Sequence, residues 1–155
     1  MNLVYRHPSG GRLFQGGAKD TKNIPLLDAK KIKAVVFTAK ENNNFSLPDR
    51  FDVLRVRLRD KLNPDEAEII RYWNAADQIS ERVVSYLLNG EDVLSSCALG
   101  LNRSGLISAF TLVKLGFTGT EAISMIRRAR GMGALYNPAF RRIIRAFAKA
   151  TPSGH

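Results

Sequence analysis

The feature that most restricts how this chain can fold is a strand, loop and helix pattern in its second half. The segment Val93-Leu94-Ser95-Ser96 is interpreted as a buried strand, and a helical spacing of apolar residues opens at Leu106 and ends at Gly116. The segment Cys97 to Gly105 between them has the sequence Cys-Ala-Leu-Gly-Leu-Asn-Arg-Ser-Gly. A loop that enters a helix in this way directs several backbone N–H groups to one point, at the positive end of the helix dipole. The pattern therefore predicts an anion site.

Strand patterns before this loop alternate with helical ones. Residues 1–11 are predicted to be an arm or an edge strand, residues 20–31 are weakly helical, and the run 34–37 has the β-branched character of a buried strand. Residues 51–60 alternate apolar residues with arginines, which predicts a half-buried strand that ends at Asp60. The polar stretch 40–48 is expected to be a loop.

Helical patterns dominate the remainder of the chain. Asn63 as N-cap, followed by Pro64, predicts the start of a long helix with Ile69 on its buried face, and Asn89-Gly90 ends it. Later capping patterns at Thr118 and Asn137 open two more helices. Strands that alternate with helices, followed by three consecutive helices, predict an α/β fold with a mostly parallel central sheet flanked by helices.

Length and composition limit the class of protein. With 155 residues, 45% of them hydrophobic, the chain is expected to form one globular domain (1–155) with a short tail at 150–155. No apolar stretch approaches the roughly 18 residues that span a bilayer, and the N-terminus lacks the apolar core of a signal peptide. The single cysteine, Cys97, can form no internal disulfide, which favours a cytoplasmic location. His7 and His155 lie at opposite ends, so no metal is expected.

The residues of the loop suit thiolate chemistry on phosphorus. A cysteine at Cys97 is stabilised as a thiolate by the helix N-terminus, and Gly100 lets the loop curl without a Cβ clash. The planar guanidinium of Arg103 can bind two oxygens of a phosphoryl group, and the Ser104 hydroxyl can donate to the sulfur. No cofactor is needed for such a site. The phosphate would lie against the loop residues Ala98, Leu99, Gly100, Leu101, Asn102 and Arg103.

The segment resembles the signature of the cysteine-dependent protein phosphatases, which is His-Cys, five residues, then Arg-Ser/Thr. Within that superfamily the chain is most similar to the compact dual-specificity group. The similarity extends to Leu13-Phe14-Gln15-Gly16 with the following helical segment, and to a basic helix followed by Tyr136-Asn137-Pro138-Ala139-Phe140, so that it covers most of residues 12–148. It implies a phosphomonoester hydrolase that acts through a cysteinyl-phosphate intermediate.

Two positions determine whether the site can catalyse a reaction. The family histidine before the cysteine is replaced by Ser96, which leaves open a binding-only module without catalysis. By positional analogy with the family, Asp60 is predicted to be the general acid that protonates the leaving group. Asp65 is the alternative, although a carboxylate in the first turn of a helix also has a structural explanation.

The charge of the chain bears on its substrate. Lys and Arg exceed Asp and Glu by 24 to 14, a net charge of +10, and the excess is concentrated in the last two predicted helices. The expected partner is a phosphorylated protein or another phosphate monoester; a polyanionic substrate such as an RNA 5′-end or a phosphoinositide is the alternative. Arg55, Arg57 and Arg59 either form a solvated strand face or contact substrate. The helices after the loop argue against a rhodanese-like sulfur transferase.

Overall fold

The computed structural model describes residues 1–40 and 45–152. Five strands form one sheet in the order β1-β2-β5-β3-β4, in which β1 is antiparallel to β2 and the other neighbours are parallel. The strands are β1 (Asn2–Arg6), β2 (Arg12–Gly16), β3 (Ile32–Phe37), β4 (Asp52–Arg55) and β5 (Asp92–Ser96). The helices are α1 (Ala18–Thr21), α2 (Ile24–Ala29), α3 (Glu66–Leu88), α4 (Arg103–Lys114), α5 (Gly119–Arg130) and α6 (Pro138–Ala150). The predicted α/β fold with a mostly parallel sheet flanked by helices is confirmed.

The sheet is buried on both faces, as parallel strands require. Successive residues of a strand point to opposite faces, so Leu13 and Val93 pack in the larger core with α3 to α6, whereas Phe14 and Leu94 join the smaller core that contains Leu27 of α2. This two-sided burial explains the continuous apolar run at residues 34–37 of β3 and the adjacent apolar residues Val93 and Leu94 of β5.

The strand predicted over residues 51–60 is shorter in the structure, because β4 ends at Arg55. β4 lies at the edge of the sheet, with β3 as its neighbour. Only two further hydrogen bonds extend the pairing among the described residues, from Val56 N to Phe37 O (3.0 Å) and from Leu58 N to Thr38 O (2.9 Å). The predicted alternation nevertheless persists beyond the strand, since Leu58 is buried.

The start of α3 also differs from the prediction. The N-cap is Asp65 rather than Asn63: its side chain accepts from Glu68 N at 2.8 Å, and Glu68 Oε1 accepts from Asp65 N at 3.3 Å. This reciprocal capping box satisfies two backbone donors and begins the helix two residues later. Ile69, in the first turn, is exposed instead of buried.

The remaining segments agree with their predicted character where they are described. Residues 45–48 of the predicted loop 40–48 have no regular structure, and residues 41–44 of it lie outside the described residues. In the predicted tail, α6 ends at Ala150, while residues 153–155 lie outside the described residues. Nowhere in 1–40 or 45–152 does a helix have the length and apolar character needed to cross a bilayer.

Candidate active site

The loop between β5 and α4 turns its carbonyl groups outwards. Every backbone carbonyl from residue 98 to residue 102 accepts a hydrogen bond from a group outside the loop. The donors are Ala18 N to Ala98 O (3.0 Å), Arg130 Nη2 to Leu99 O (2.9 Å), Gln15 Nε2 and Arg130 Nε to Gly100 O (2.9 and 3.1 Å), Leu135 N to Leu101 O (3.1 Å) and Leu106 N to Asn102 O (2.9 Å). With the acceptors tied back, the N–H groups face the interior of the loop, where an anion would bind.

Cys97 begins this loop directly after β5 and is 2% exposed. Its Sγ accepts a hydrogen bond from Gly100 N at 3.2 Å and lies 3.2 Å from the Ser104 Oγ. Of the backbone N–H groups of residues 98–102, only that of Gly100 donates a hydrogen bond to another of the described residues. The structure thus brings Cys97 and Ser104 together, as the sequence predicted.

Gly100 is required by the tight approach of the loop to β2. Its φ is +74°, and a Cβ there would lie 2.5 Å from the backbone carbon of Gly16. Any other residue would be strained in this conformation. Its Cβ would also clash with the backbone of Gly16, which could move only by distorting β2. The glycine of the motif therefore shapes the loop at which the sequence predicts an anion site.

The first turn of α4 is left without a side-chain cap. Asn102 occupies the N-cap position, but its side chain makes no capping hydrogen bond. Instead, its Nδ2 donates to Asp60 Oδ2 at 2.8 Å, and its Oδ1 accepts from Asn137 N at 3.1 Å. Arg103 begins the helix beside it and is half-buried. The helix N-terminus consequently keeps its donors for a ligand rather than for its own cap.

Asp60 is fixed next to the loop by two amide side chains. Its Oδ2 accepts from Asn102 and its Oδ1 accepts from Asn137 Nδ2 at 2.8 Å. Asp65 lies at the N-cap of α3, where its carboxylate is used for capping. Of the two carboxylates considered from the sequence, Asp60 is the one that bonds to a residue of the loop.

Ser96 ends β5 directly before the cysteine and is fully buried. Its Oγ donates to the Val36 carbonyl of the neighbouring strand at 2.6 Å. A second hydroxyl, that of Thr38, donates to the Ser96 carbonyl at 2.7 Å. Ser96 is thus bound to β3 through its side chain and to Thr38, the residue after β3, through its carbonyl.

Three supporting residues had no predicted role in the site: Gln15, Arg130 and the side-chain amide of Asn137. Asn137 was predicted as a helix cap, and its Oδ1 does accept from Ala139 N at 2.9 Å. Its Nδ2 also donates to Lys61 O at 2.8 Å in addition to Asp60, so one side chain joins α6 to the Asp60 segment. The Asn-Pro pair carried a signal for the cap, but no local pattern predicted the long-range contacts.

Among the described residues, no three His, Cys, Asp or Glu side chains cluster as metal ligands would.

Comparison with known proteins gives the family. The pattern of the dual specificity phosphatase catalytic domain matches residues 13–150, and the chain belongs to this family. That membership, together with the site, supports a cysteine-based phosphatase.

Solved structures share the fold. The crystal structure of DUSP15 has a TM-score of 0.76 at 20% identity, covering 96% of this chain and 88% of that one. For human DUSP28 the TM-score is 0.72 at 20% identity, covering 96% of this chain and 93% of that one. For the human tyrosine phosphatase-like serine/threonine/tyrosine-interacting protein the TM-score is 0.74 at 17% identity, covering 97% of this chain and 96% of that one. No curated protein matches the chain in sequence.

Proposed function

We propose that this protein is a phosphatase of the dual-specificity or tyrosine type, which hydrolyses phosphate monoesters of proteins through a covalent phosphocysteine. The main observation in support of the proposal is the orientation of the peptide groups in the loop. The carbonyl groups accept hydrogen bonds from outside the loop, while Gly100 N donates to the Cys97 sulfur. A ring of N–H groups around a sulfur at a helix N-terminus stabilises both a thiolate and a bound phosphoryl group. The substrate phosphate would rest on residues 98–103, with Arg103 across two of its oxygens.

The first step forms the S–P bond and breaks the P–O bond of the ester. Cys97 Sγ attacks phosphorus as a thiolate, and the leaving oxygen takes a proton from Asp60. The contact between Asp60 and Asn102 supports this role, because it places the carboxyl group beside the residue that precedes Arg103.

The second step breaks the S–P bond by hydrolysis. Asp60, now a carboxylate, takes a proton from water, whose oxygen attacks phosphorus and releases inorganic phosphate. The sulfur leaves as a thiolate, and the Ser104 hydroxyl 3.2 Å away can donate a hydrogen bond to it. Ser104 therefore contributes mainly to the breakdown of the intermediate.

An aryl phosphate assay tests the proposal. The wild-type protein should hydrolyse the ester without added metal, vanadate should inhibit it, and Cys97→Ser should abolish turnover while still binding vanadate in a calorimetric titration. Ser104→Ala should show a burst of product followed by slow turnover, because the phosphocysteine accumulates. Wild-type turnover in Cys97→Ser would refute the covalent mechanism. Vanadate binding by a wild-type protein that hydrolyses no phosphate monoester would instead identify a binding module.

A further inference from the structure

Three large apolar side chains are exposed beside the loop between β5 and α4. They are Leu99, Met132 and Tyr136, with 71%, 78% and 51% of their surfaces exposed. The first belongs to the loop, and the other two belong to residues 131–136, the tip segment, which lies between α5 and α6. Leu135 N of the tip segment donates to Leu101 O of the loop at 3.1 Å. The three exposed side chains therefore belong to adjacent segments at the candidate active site.

The backbone of the tip segment is held by two arginines, one from each flanking helix. Arg127 Nε of α5 donates to Ala134 O at 3.0 Å, and Arg141 Nη1 of α6 donates to Leu135 O at 2.7 Å. The side chains of Ala134 and Leu135 are fully buried. The tip segment is thus anchored to the core, and its exposed side chains project from a backbone that the core holds in place.

Met132 lies at the most open part of the tip segment. A Cβ placed on either of its neighbours, Gly131 or Gly133, would meet no atom within 4 Å. The unbranched thioether side chain of methionine adapts to irregular apolar surroundings. An apolar side chain this exposed gains free energy when it leaves water for an apolar phase. The tip segment thus presents Met132 to a partner outside the chain.

Cationic side chains surround the tip segment. Residues 119–150 contain seven arginines and lysines against one acidic residue, Glu121, whose carboxylate belongs to the capping box of α5. Four of these cations are exposed and form no ion pair with any residue that the structure describes: Arg128, Arg142, Arg145 and Lys149. Arg128 and Arg145 line, together with Met132, an open cavity of about 300 Å³ between α5 and α6. The apolar side chain and the cations therefore form one surface.

This combination suits an anionic lipid bilayer. The headgroups of acidic phospholipids attract cationic side chains near the membrane surface, and the boundary with the acyl chains accepts apolar side chains. A nucleic acid would neutralise the same cations, but its binding sites combine cations with aromatic rings that stack on bases. It would leave the aliphatic side chains of Leu99 and Met132 in water. A bilayer, in contrast, complements both parts of the surface.

We propose that the tip segment and the cations of α5 and α6 bind the protein to the surface of an anionic lipid bilayer. Met132 enters the headgroup region, Arg128 and Arg145 contact anionic headgroups, and the loop between β5 and α4 faces the membrane. The proposal goes beyond the proposed phosphatase activity. Because binding to a bilayer involves no turnover, its tests succeed or fail independently of that activity.

Vesicle sedimentation tests the proposal on the full chain. Vesicles made of equal parts of phosphatidylcholine and phosphatidylglycerol should bind the wild-type protein roughly tenfold or more tightly than vesicles of phosphatidylcholine alone. Added salt should weaken the binding, because it screens the attraction between the cations and the headgroups. Equal or undetectable binding to the two kinds of vesicle would overturn the proposal.

Two variants change the two parts of the surface separately. Met132→Ser removes the apolar side chain, and Arg128→Gln/Arg145→Gln removes two of the cations. Each should weaken binding to the anionic vesicles by roughly tenfold, the scale set by burying a methionine side chain or by attracting two basic residues. All three positions are exposed, so the variants should keep the thermal unfolding midpoint of the wild type. Full affinity in either variant would refute the assignment of the surface.

Matched controls lie at the opposite edge of the sheet. Leu88, at the end of α3, is 46% exposed, and the exposed residues Lys30 and Lys31 directly precede β3. Because β3 and β5 are parallel, these lysines lie at the amino edge of the sheet, whereas Cys97 follows the carboxyl end of β5. Leu88→Ser and Lys30→Gln/Lys31→Gln should bind the anionic vesicles within about twofold of the wild type. Losses as large as those at the tip segment would indicate non-specific attraction and overturn the proposal.

A fluorescent probe distinguishes a bilayer from a nucleic acid. In a Cys97→Ser background, an environment-sensitive dye attached to Met132→Cys should shift its emission to shorter wavelength when anionic vesicles are added. The same dye at Leu88→Cys should show no shift, and a single-stranded oligonucleotide should shift neither. Oligonucleotide binding by a protein that binds no vesicles, or a shift with the oligonucleotide alone, would assign the surface to nucleic acid and overturn the proposal.

Discussion

Arg103 stands where the loop meets α4, and at this position the shape of its side chain matters as much as its charge. A guanidinium can bind two oxygens of a phosphoryl group at once, whereas an ammonium binds as a point charge. We expect Arg103→Lys to lower kcat/KM for an aryl phosphate by roughly two orders of magnitude, the scale set by losing one preorganised donor to a transition-state oxygen. Steady-state kinetics measure this loss. Arg142→Lys, the same exchange at an exposed position, is the control. An equal, small effect in both variants would contradict the proposal that Arg103 binds two phosphoryl oxygens.

The carboxylates Asp60 and Asp65 are separated by their partners. Asp60 bonds to Asn102 of the loop, and Asp65 caps α3. Asp60→Asn should therefore lower kcat by roughly 10²–10⁴, the usual contribution of a general acid or base. A series of aryl phosphates measures it: the defect should shrink as the leaving group becomes more acidic and needs no proton. Asp65→Asn keeps a good N-cap and should retain near-normal turnover. If the leaving-group dependence appears in Asp65→Asn instead, the acid is misassigned.

Single residues also show how far the sequence could predict the site. The contact between Cys97 and Ser104 follows from local geometry, because both lie on one strand-loop-helix unit. The contacts of Asn137 with Asp60 and Lys61 join positions far apart in the chain, and no local pattern contains them. Local chemistry was predictable, whereas the side chains that hold it in place depend on the packed fold.

At the scale of elements, α5 supports the loop between β5 and α4 through one arginine. Arg130 donates from Nη2 to Leu99 O and from Nε to Gly100 O, and its Nη1 binds Asn2 Oδ1 on β1 at 2.7 Å. Hydrogen bonds from a charged donor contribute about 1.5–3 kcal/mol each. They keep these carbonyls turned away from the interior of the loop, where the proposed phosphoryl group would bind.

Arg130→Gln should therefore weaken vanadate binding by roughly tenfold or more, since each 1.4 kcal/mol corresponds to about one order of magnitude. The expected change lies mainly in KM and in the vanadate Kd, because the nucleophile itself is untouched. Arg128→Gln on the same helix is the matched control, since Arg128 is exposed and bonds to no part of the loop. Equal vanadate affinity in the two variants would show that the loop holds its shape without α5.

The residues at which helices and strands begin and end depend on contacts with nearby side chains and strands. Asn63 and Asp65 are both good N-caps, and the structure uses Asp65 because Glu68 completes its capping box. The strand predicted to reach Asp60 stops at Arg55, which pairs with Phe37 at the end of β3, and only the hydrogen bonds of Val56 N and Leu58 N continue the pairing among the described residues. The type of each element was thus predictable from periodicity, while the residue at which it starts or stops was decided by contacts that periodicity does not contain.

At the scale of the whole molecule, aromatic rings join α6 to the other helices of the larger core. The rings of Phe110 on α4 and Phe147 on α6 stack with centroids 3.9 Å apart and planes 7° from parallel. Trp73 on α3 packs edge-on against both, at 6.1 and 5.4 Å respectively. Phe147 is buried, and its ring contacts join α6 to α3 and α4. Because Asn137 precedes α6 and binds Asp60, this cluster also anchors the helix that steadies the candidate acid.

Phe147→Ala should destabilise the fold by about 3–5 kcal/mol, the cost of truncating a buried aromatic side chain and leaving a cavity. Denaturant unfolding followed by the fluorescence of Trp73, the single tryptophan, measures the change directly at the cluster. Leu88→Ala, an apolar truncation at the exposed end of α3, should cost roughly 0.5 kcal/mol and serves as the control. Equal losses in the two variants would mean that α6 is not held by its aromatic contacts. At denaturant concentrations where Phe147→Ala remains folded, its kcat should stay within a few fold of wild type, because the side chain contributes to stability and touches no part of the loop between β5 and α4.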